Sequence, residues 1–400
     1  MSKTFFIISS SDLSRPGAAQ FRLLAIARGL CEHGAKVNWI LIASKVPDSI
    51  ANDEKYRRIN FIQVGKQPTS IINNKLASYF YRLYLLVSLR PTLSHLCRDS
   101  DHKALFSVGD SFLNLTLVKR LCRKERILLS HERTEYPYLN AKSLLKRLNL
   151  FLYLKIFIPQ CDHIFVISKA LRDFFSALAM VRKNNVPVSI LNMLTETDRY
   201  QINEETEATP NKDIVYVGTM YGDKDGVYDL ISAFGLIMDK VPDARLVLIG
   251  DNLRRERMNK IYEALSNISH QDRIIFTGSL GRTELIQRIN QAYCLALSRP
   301  NNIQAKYGFP TKLGEYLATG RPVIVTAVGD IPFYLDDGVN AFIAEPNNIQ
   351  SFADKLEECF SNEDKAIKIG QKGQETAIKF FDYRVVTRVL MEAIEEELNV

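Results

Sequence analysis

The sequence has no Cys-x-x-Cys pair. Its six cysteines (Cys31, Cys97, Cys122, Cys161, Cys294 and Cys359) lie far apart. That spacing excludes a zinc knuckle and a dense disulfide framework. Most sit in apolar stretches, such as Cys294 in YCLALS. They read as reduced core thiols, which points to a reducing compartment. No segment approaches the ~18 uninterrupted apolar residues of a membrane-spanning helix. The opening, MSKTFFIISSSD, holds only a six-residue apolar-leaning run. That is too short for a secretory leader. The expected location is the cytoplasm, with peripheral contact at the inner face of a membrane left open. Internal repeats and low-complexity segments are missing as well. A nucleic-acid motif is missing too, and the cations are dispersed among apolar residues, so no nucleic-acid partner is expected.

What is present is ordinary globular composition over 400 residues, 46% hydrophobic and 24% charged. That length suits two domains. The net charge of +7 hides a division. Residues 1–200 hold 30 basic and 15 acidic side chains, whereas residues 201–400 hold 22 and 30. The halves are electrostatically different bodies.

Apolar runs alternate with amphipathic stretches in both halves. In the first half, strands are expected at 5–10, 37–43, 104–108, 127–130, 163–168 and 188–191. Helices are expected at about 19–33, 111–124 and 169–180. The polar run 201–213 (QINEETEATPNKD) reads as a linker. The second half starts over, with strands at 214–217, 245–250, 273–278, 293–298, 322–326 and 341–345. The alternation implies α/β architecture: two Rossmann-like, doubly wound parallel-sheet domains, at 1–200 and 201–375. Ligands of such sheets sit beyond the carboxyl ends of the strands. The loops that follow strands therefore carry the functional candidates.

After IVYV comes GTMYGDKDGVYDLI, a loop with Gly218, Thr219, Gly222, Lys224 and Gly226 that opens a helix. Free backbone N–H groups, the helix dipole and Lys224 together suit a phosphate. An ordinary surface turn is the plain alternative. After YCLALS comes RPNNIQAKYGFPTKLGEYLATGRPVIV. It places Arg299, Lys306 and Lys312 on or beside a Gly/Pro loop, with Pro310 and Thr311 at a helix entry. Glu315 is expected in that helix's first turn, where its charge suits the dipole and its oxygens suit ribose hydroxyls. Gly329 before Asp330 is a third phosphate-friendly place. His131 and Glu132 follow ILLS in HERTEYP, which lacks the second His of a zinc protease motif. A satisfied structural histidine is the plain reading there, and an active-site histidine the functional one. Arg15, Pro16 and Gly17 form the first strand-to-helix loop, where Gly17 permits close approach of a phosphate or sugar.

These blocks together resemble family 4 retaining glycosyltransferases of the GT-B fold. The residues that carry the resemblance are RPGAAQFRLLAIARGL, SHERTEYP, HIFVISKAL, NMLTETDRY, YVGTMYGDKDGV, GFPTKLGEYLATGRPVI and VGDIPFYLDDGVNAF. The resemblance implies two domains facing a central cleft, with a final segment, 376–400, crossing back to the N-terminal domain. It implies transfer of a sugar, with retention, from a nucleotide-diphosphate sugar to a glycan or lipid-linked acceptor, in surface polysaccharide or glycolipid synthesis. A sugar-nucleotide epimerase and a silent sugar-nucleotide binder are the alternatives. The implied catalytic residues are His131, Lys224 and Lys312. The implied substrate-binding residues are Gly17, Glu132, Gly218, Thr219, Arg299, Lys306, Tyr307, Phe309, Pro310, Thr311 and Glu315. Glu315 matches the second glutamate of the family's acidic motif, whereas Tyr307 stands at the first. Thr219 stands where the family often has an arginine. Cations and helix N-termini can stabilise a departing diphosphate, so no metal or other cofactor is expected.

Two segments of the basic half, 75–97 and 143–158, mix aromatic and aliphatic residues with Arg82, Arg90, Lys146, Arg147 and Lys155. Such stretches can lie in a membrane interface while their cations meet anionic headgroups. Buried helices with polar faces are the alternative.

Overall fold

The computed structural model describes residues 3–9, 13, 17–65, 75–98, 102–200, 212–220, 224–250 and 259–398. Two compact units share the chain. The first comprises Met1–Asn192 with Tyr383–Val400, and the second comprises Met193–Asp382.

The first unit is built on a parallel sheet of β1 (Lys3–Ser9), β2 (Lys36–Ile42), β3 (Ile59–Val64), β4 (His102–Val108), β5 (Leu128–Arg133), β6 (His163–Val166) and β7 (Val188–Ile190). The strand order is β3-β2-β1-β4-β5-β6-β7. Central strands such as β2, KVNWILI, bury nearly every residue because helices cover both faces. Trp39 is fully enclosed there, and its Nε1 donates to Ser9 Oγ at 2.9 Å. Strand β3, INFIQV, was not expected from the sequence. It is an edge strand with mixed burial, so its polar residues interrupt the apolar run that marks its neighbours. The helices needed below are α1 (Ala18–Glu32), α2 (Lys75–Val87), α3 (Phe112–Glu125) and α4 (Leu144–Leu152).

The second unit repeats the plan with β8 (Lys212–Val217), β9 (Ala244–Ile249), β10 (Ile274–Gly278), β11 (Cys294–Leu297), β12 (Val323–Thr326) and β13 (Phe342–Ala344), in the order β10-β9-β8-β11-β12-β13. Its relevant helices are α5 (Val227–Ile237), α6 (Thr311–Ala318) and α7 (Glu363–Phe380). Each sheet winds outward in one direction and then returns to the other side of its first strand. The reversal lies between β1 and β4 in one unit and between β8 and β11 in the other. Such a reversal opens a crevice at the carboxyl ends of the two strands.

The boundary expected at 200/201 falls at 192/193. The residues between belong to the second unit through their bonds: the Thr195 amide donates to the Phe381 carbonyl at 2.8 Å, and Thr197 donates to Asp382. Residues 201–211 of the expected linker lie outside the described residues, and Lys212 already begins β8. The expected single segment 376–400 is two helices. α7 ends at Phe380 in the second unit, and α8 (Tyr383–Leu398) belongs to the first.

Helix α8 packs on α1. Gly29 makes the approach close: a Cβ there would meet Thr387 Cγ2 at 2.8 Å. Tyr383 donates to Glu32 Oε1 at 2.6 Å. In the acidic end Glu395 is matched in sign by Lys3, whereas Glu397 lies 3.6 Å from His163, whose pKa burial lowers to about 4, so that contact is not an ion pair near neutral pH. All six cysteines are buried and unpaired. No helix among the described residues is long and apolar enough to cross a membrane.

Candidate functional site

In the second unit, the loops after β8 and β11 meet at the sheet's reversal. Gly218 follows β8 with φ of +153°, and a Cβ there would run into Tyr216 Oη and the Lys312 ammonium. Glycine is therefore required by both backbone angle and space. Gly226 caps α5 in the left-handed region, at φ +62°, and a Cβ there would strike the Ser298 carbonyl after β11. Helix α6 begins at Thr311 behind Pro310. Tyr316 on α6 accepts the Val217 amide at 2.7 Å, which ties the helix to the end of β8.

These contacts bring Lys312 to the foot of the Gly218 loop. Its ammonium donates to Asp225, and to Tyr216 Oη at 3.1 Å. Tyr216 donates to Asp225 Oδ2 at 3.0 Å. Arg299, only 3% exposed, approaches the same carboxylate at 3.7 Å. Burial works against ionising Asp225, but Lys312, Arg299 and Tyr216 together hold its carboxyl below the ordinary range. Burial lowers the Lys312 and Arg299 pKa values, and Asp225 opposes that shift in both. One buried anion thus faces two cations. Among the described residues, Nε and Nη1 of Arg299 have no hydrogen-bond partner. A cluster with surplus positive charge and open donors, at a sheet reversal, suits a phosphate or diphosphate.

Glu315 lies one turn along α6 from Lys312. It is not in the helix's first turn as expected, because the helix starts at Thr311. Burial raises its pKa to about 6, while Tyr200 and the charges of Lys312 and Arg199 pull it back. A recessed carboxylate beside a phosphate-binding cluster can accept ribose hydroxyls.

The remaining candidates of this unit are spread around that cluster. Thr219 is exposed, and its carbonyl accepts Tyr216 Oη at 3.1 Å. Lys224 is exposed beside Asp225, and Gly222 lies outside the described residues. Lys306 and Tyr307 end a five-residue helix, with the exposed lysine 5.5 Å from the tyrosine ring. Phe309 is buried against Tyr334 and Phe381, so it serves the packing under α6. Gly329 approaches the Ala305 carbonyl at φ +56°, which ties the loop after β12 to that short helix. Sequence reading missed Asp225, Tyr216 and Tyr200. Asp225 had a signal, its position between Lys224 and the helix-capping Gly226. An Asp-x-Asp spacing occurs at Asp223/Asp225 and again at Asp99/Asp101. Asp225 alone of these four is described, and it is held by Lys312, Arg299 and the Tyr216 hydroxyl.

The first unit corrects two assignments. His131 lies within β5, not after it, and is fully buried. Its Nδ1 bonds Ser107 Oγ at 2.9 Å and its Nε2 bonds Tyr153 Oη at 2.8 Å. Burial lowers its pKa to about 3, with Arg133 adding to the shift. Both nitrogens are taken by protein partners, and the ring is enclosed in the unit rather than presented on a loop. Glu132, expected at the substrate, is 4% exposed and takes Arg22 Nε at 2.9 Å and Nη2 at 2.6 Å. Arg22 also donates to the carbonyls of Leu191 and Asn192. This pair ties α1 to β5 and to the end of the unit. Gly17 is exposed at the start of α1 in extended backbone, and its N–H is taken by Gln20 Oε1 at 3.0 Å. Arg15 and Pro16 lie outside the described residues.

Comparison with known proteins adds to this geometry. Residues 211–362 match the family described as "Glycosyl transferases group 1". The N-acetyl-alpha-D-glucosaminyl L-malate synthase of Bacillus anthracis is 25% identical over 230 residues, 56% of this chain and 57% of that protein. An uncharacterized glycosyltransferase of Methanocaldococcus jannaschii is 29% identical over 186 residues, 46% of this chain and 48% of that one. The chain thus aligns with about half the length of these curated relatives. Among solved structures, the Anabaena protein HepE in complex with UDP has a TM-score of 0.71 at 16% identity, covering 99% of this chain and 100% of that one. HepE has also been solved with UDP-glucose. The fold is the GT-B pair of Rossmann-like domains.

Proposed function

We propose that this chain is a glycosyltransferase that moves a sugar from a nucleoside-diphosphate sugar to an acceptor hydroxyl. The observation that carries the reading is the cluster of Lys312, Arg299 and Asp225 at the β8/β11 reversal, in the stretch that matches the glycosyltransferase family. Breaking the bond between sugar and diphosphate places charge on the leaving phosphate. Lys312 and the open donors of Arg299 stabilise that charge as it develops. Glu315 holds the ribose, and exposed Lys224 adds positive charge at the mouth of the loop. The reaction proceeds with retention, the leaving phosphate accepting the proton of the incoming hydroxyl.

The first unit binds the acceptor, a glycan or lipid-linked molecule. Helix α2 exposes Leu76, Phe80, Tyr84 and Val87 on one face, and α4 exposes Leu144, Leu145, Leu148 and Phe151. Residues 75–97 and 143–158 each hold three basic side chains and no acidic one. Exposed leucines framed by cations suit the interface of an anionic membrane, where synthesis of surface polysaccharide or glycolipid takes place.

Donor consumption tests the reading. Sugar nucleotide incubated with the chain should yield free nucleoside diphosphate in proportion to added acceptor, and the product's anomeric configuration should match the donor's. Conversion to an isomeric sugar nucleotide without acceptor would point to epimerisation. Flotation with phosphatidylglycerol vesicles tests the membrane contact, and failure to float at low salt would refute it.

A further inference from the structure

The first unit has a cavity of about 300 Å³ at its own sheet reversal. It lies over the carboxyl ends of β1 and β4, with Ser9 and Val108 in its wall, and α2 covers it through Arg82 and Leu86. The reversal of the second unit holds the proposed donor cluster.

Its polar lining is unusual. Arg82 Nε and Asn114 Oδ1 are both buried, and neither has a hydrogen-bond partner among the described residues. Buried polar atoms without partners are rare in folded proteins and call for a reason. Asp110 also lines the cavity, but its carboxylate is matched by Arg133 at 3.4 Å. Among the described residues of the lining, that leaves the Arg82 guanidinium as the charge without an ion-pair partner. The hydroxyls of Ser9 and Ser107 are already engaged, with Trp39 and with Ser130 and His131. Beside Ser111 and an aliphatic wall that includes Ile8, Ile42 and Leu105, what remains is one cation with an open donor and two oxygen acceptors, Asn114 Oδ1 and Asp110. The volume is at the small end of the range for small-molecule pockets, about 300–1,000 Å³.

We propose that this cavity seats the acceptor, and that the seated part is a hydroxylated ring bearing an anionic group that Arg82 binds. Guanidinium and a phosphate or carboxylate form paired hydrogen bonds of matched geometry. Asn114 and Asp110 accept from ring hydroxyls. The anion has two natural sources, a sugar phosphate and a sugar acid, and both offer the same chemistry to Arg82. The inference rests on the transfer reading for its purpose, because a transferase needs a second site for its acceptor.

Isothermal titration of the full chain separates the two claims. The probes are glucose 1-phosphate, glucuronate and glucose, with UDP titrated in parallel. At least one anionic probe should bind, glucose should bind more weakly, and Arg82→Gln should weaken the anionic probe about tenfold or more. Binding of glucose 1-phosphate alone identifies phosphate as the anion, and binding of glucuronate alone identifies carboxylate. UDP binding should survive Arg82→Gln, and an unchanged circular dichroism spectrum and melting temperature should show that the variant's first unit is folded. Lys312→Ala should lower UDP binding and leave the anionic probe in place. The proposal is overturned if neither anionic probe binds, if glucose binds equally well, or if anion binding survives Arg82→Gln. If UDP fails to bind while the Arg82-dependent probe binds, the donor reading falls and the cavity stands.

Discussion

Lys312 and Asp225 form an ion pair across 87 residues of sequence, at the point where the second sheet reverses direction. Asp225 also faces Arg299, so one carboxylate holds two cations in place for a third partner. Removing the anion leaves two recessed positive charges in mutual repulsion. Asp225→Asn should lower unfolding free energy by about 3 kcal/mol, the scale for breaking a buried pair. Urea denaturation measures it. A loss below about 1 kcal/mol, the scale of a surface pair, would show that the three side chains do not act as a unit.

Gly218 tests the same cluster from the backbone side. A methyl group there collides with Tyr216 Oη and the Lys312 ammonium, at a φ that disfavours any other residue. Gly218→Ala should displace Lys312 and weaken nucleotide binding about tenfold, the scale of one charge-assisted hydrogen bond. Calorimetric titration with UDP-glucose reads this directly. Unchanged affinity would place the nucleotide away from this loop.

Glu315 gives the site a pH dependence. Its pKa is raised to about 6 by burial, with Tyr200 and Lys312 opposing. For a carboxyl group raised in the folded state, the contribution to stability is fully present below the unfolded value and is lost as pH rises through about 6. Ribose binding needs the ionised form and has the opposite sense. Affinity for UDP-glucose should fall about tenfold between pH 7 and pH 5. Glu315→Gln should flatten that slope. A slope unchanged in the variant would remove Glu315 from the ribose.

His131 should behave as a buried neutral ring. Burial, with Arg133, lowers its pKa to about 3, below the unfolded value. The unfolded chain binds the extra proton, so stability is lost as pH falls through 6.5 toward 3, by up to about 1.4 kcal/mol per pH unit. His131→Phe should reduce that acid sensitivity in thermal melts at pH 4–7. Equal sensitivity in both proteins would mean that the ring titrates freely.

The Arg22–Glu132 pair should act as a structural tie. Glu132→Ala leaves Arg22 buried without its anion, at a cost of about 3–5 kcal/mol. The double variant Arg22→Leu with Glu132→Leu should recover much of that loss. A double variant no more stable than Glu132→Ala would mean that Arg22 is needed for its bonds to the Leu191 and Asn192 carbonyls.

Strands with continuous apolar runs, such as VNWILIA and YCLALS, could be read directly from the sequence because both of their faces are buried. INFIQV could not, because an edge strand alternates. The glycine loop and the α6 entry were readable because turn residues and helix caps are local signals. What escaped was pairing over distance. Nothing near Asp225 announces Lys312, and nothing near Glu132 announces Arg22 on α1. His131 shows the other limit. The position of a strand's end decides whether a residue faces solvent or core, and β5 runs three residues beyond ILLS, to Arg133.

The central claim is that the second unit binds a nucleoside-diphosphate sugar through Lys312 and Glu315. A thermal-shift screen against UDP, GDP, ADP and their sugars tests it, because a ligand of the native state raises the melting temperature by mass action. At least one nucleotide family should raise the melting temperature of the unaltered chain, and that response should collapse in both Lys312→Ala and Glu315→Ala. No response to any nucleotide, or the same response in both variants, would contradict the account.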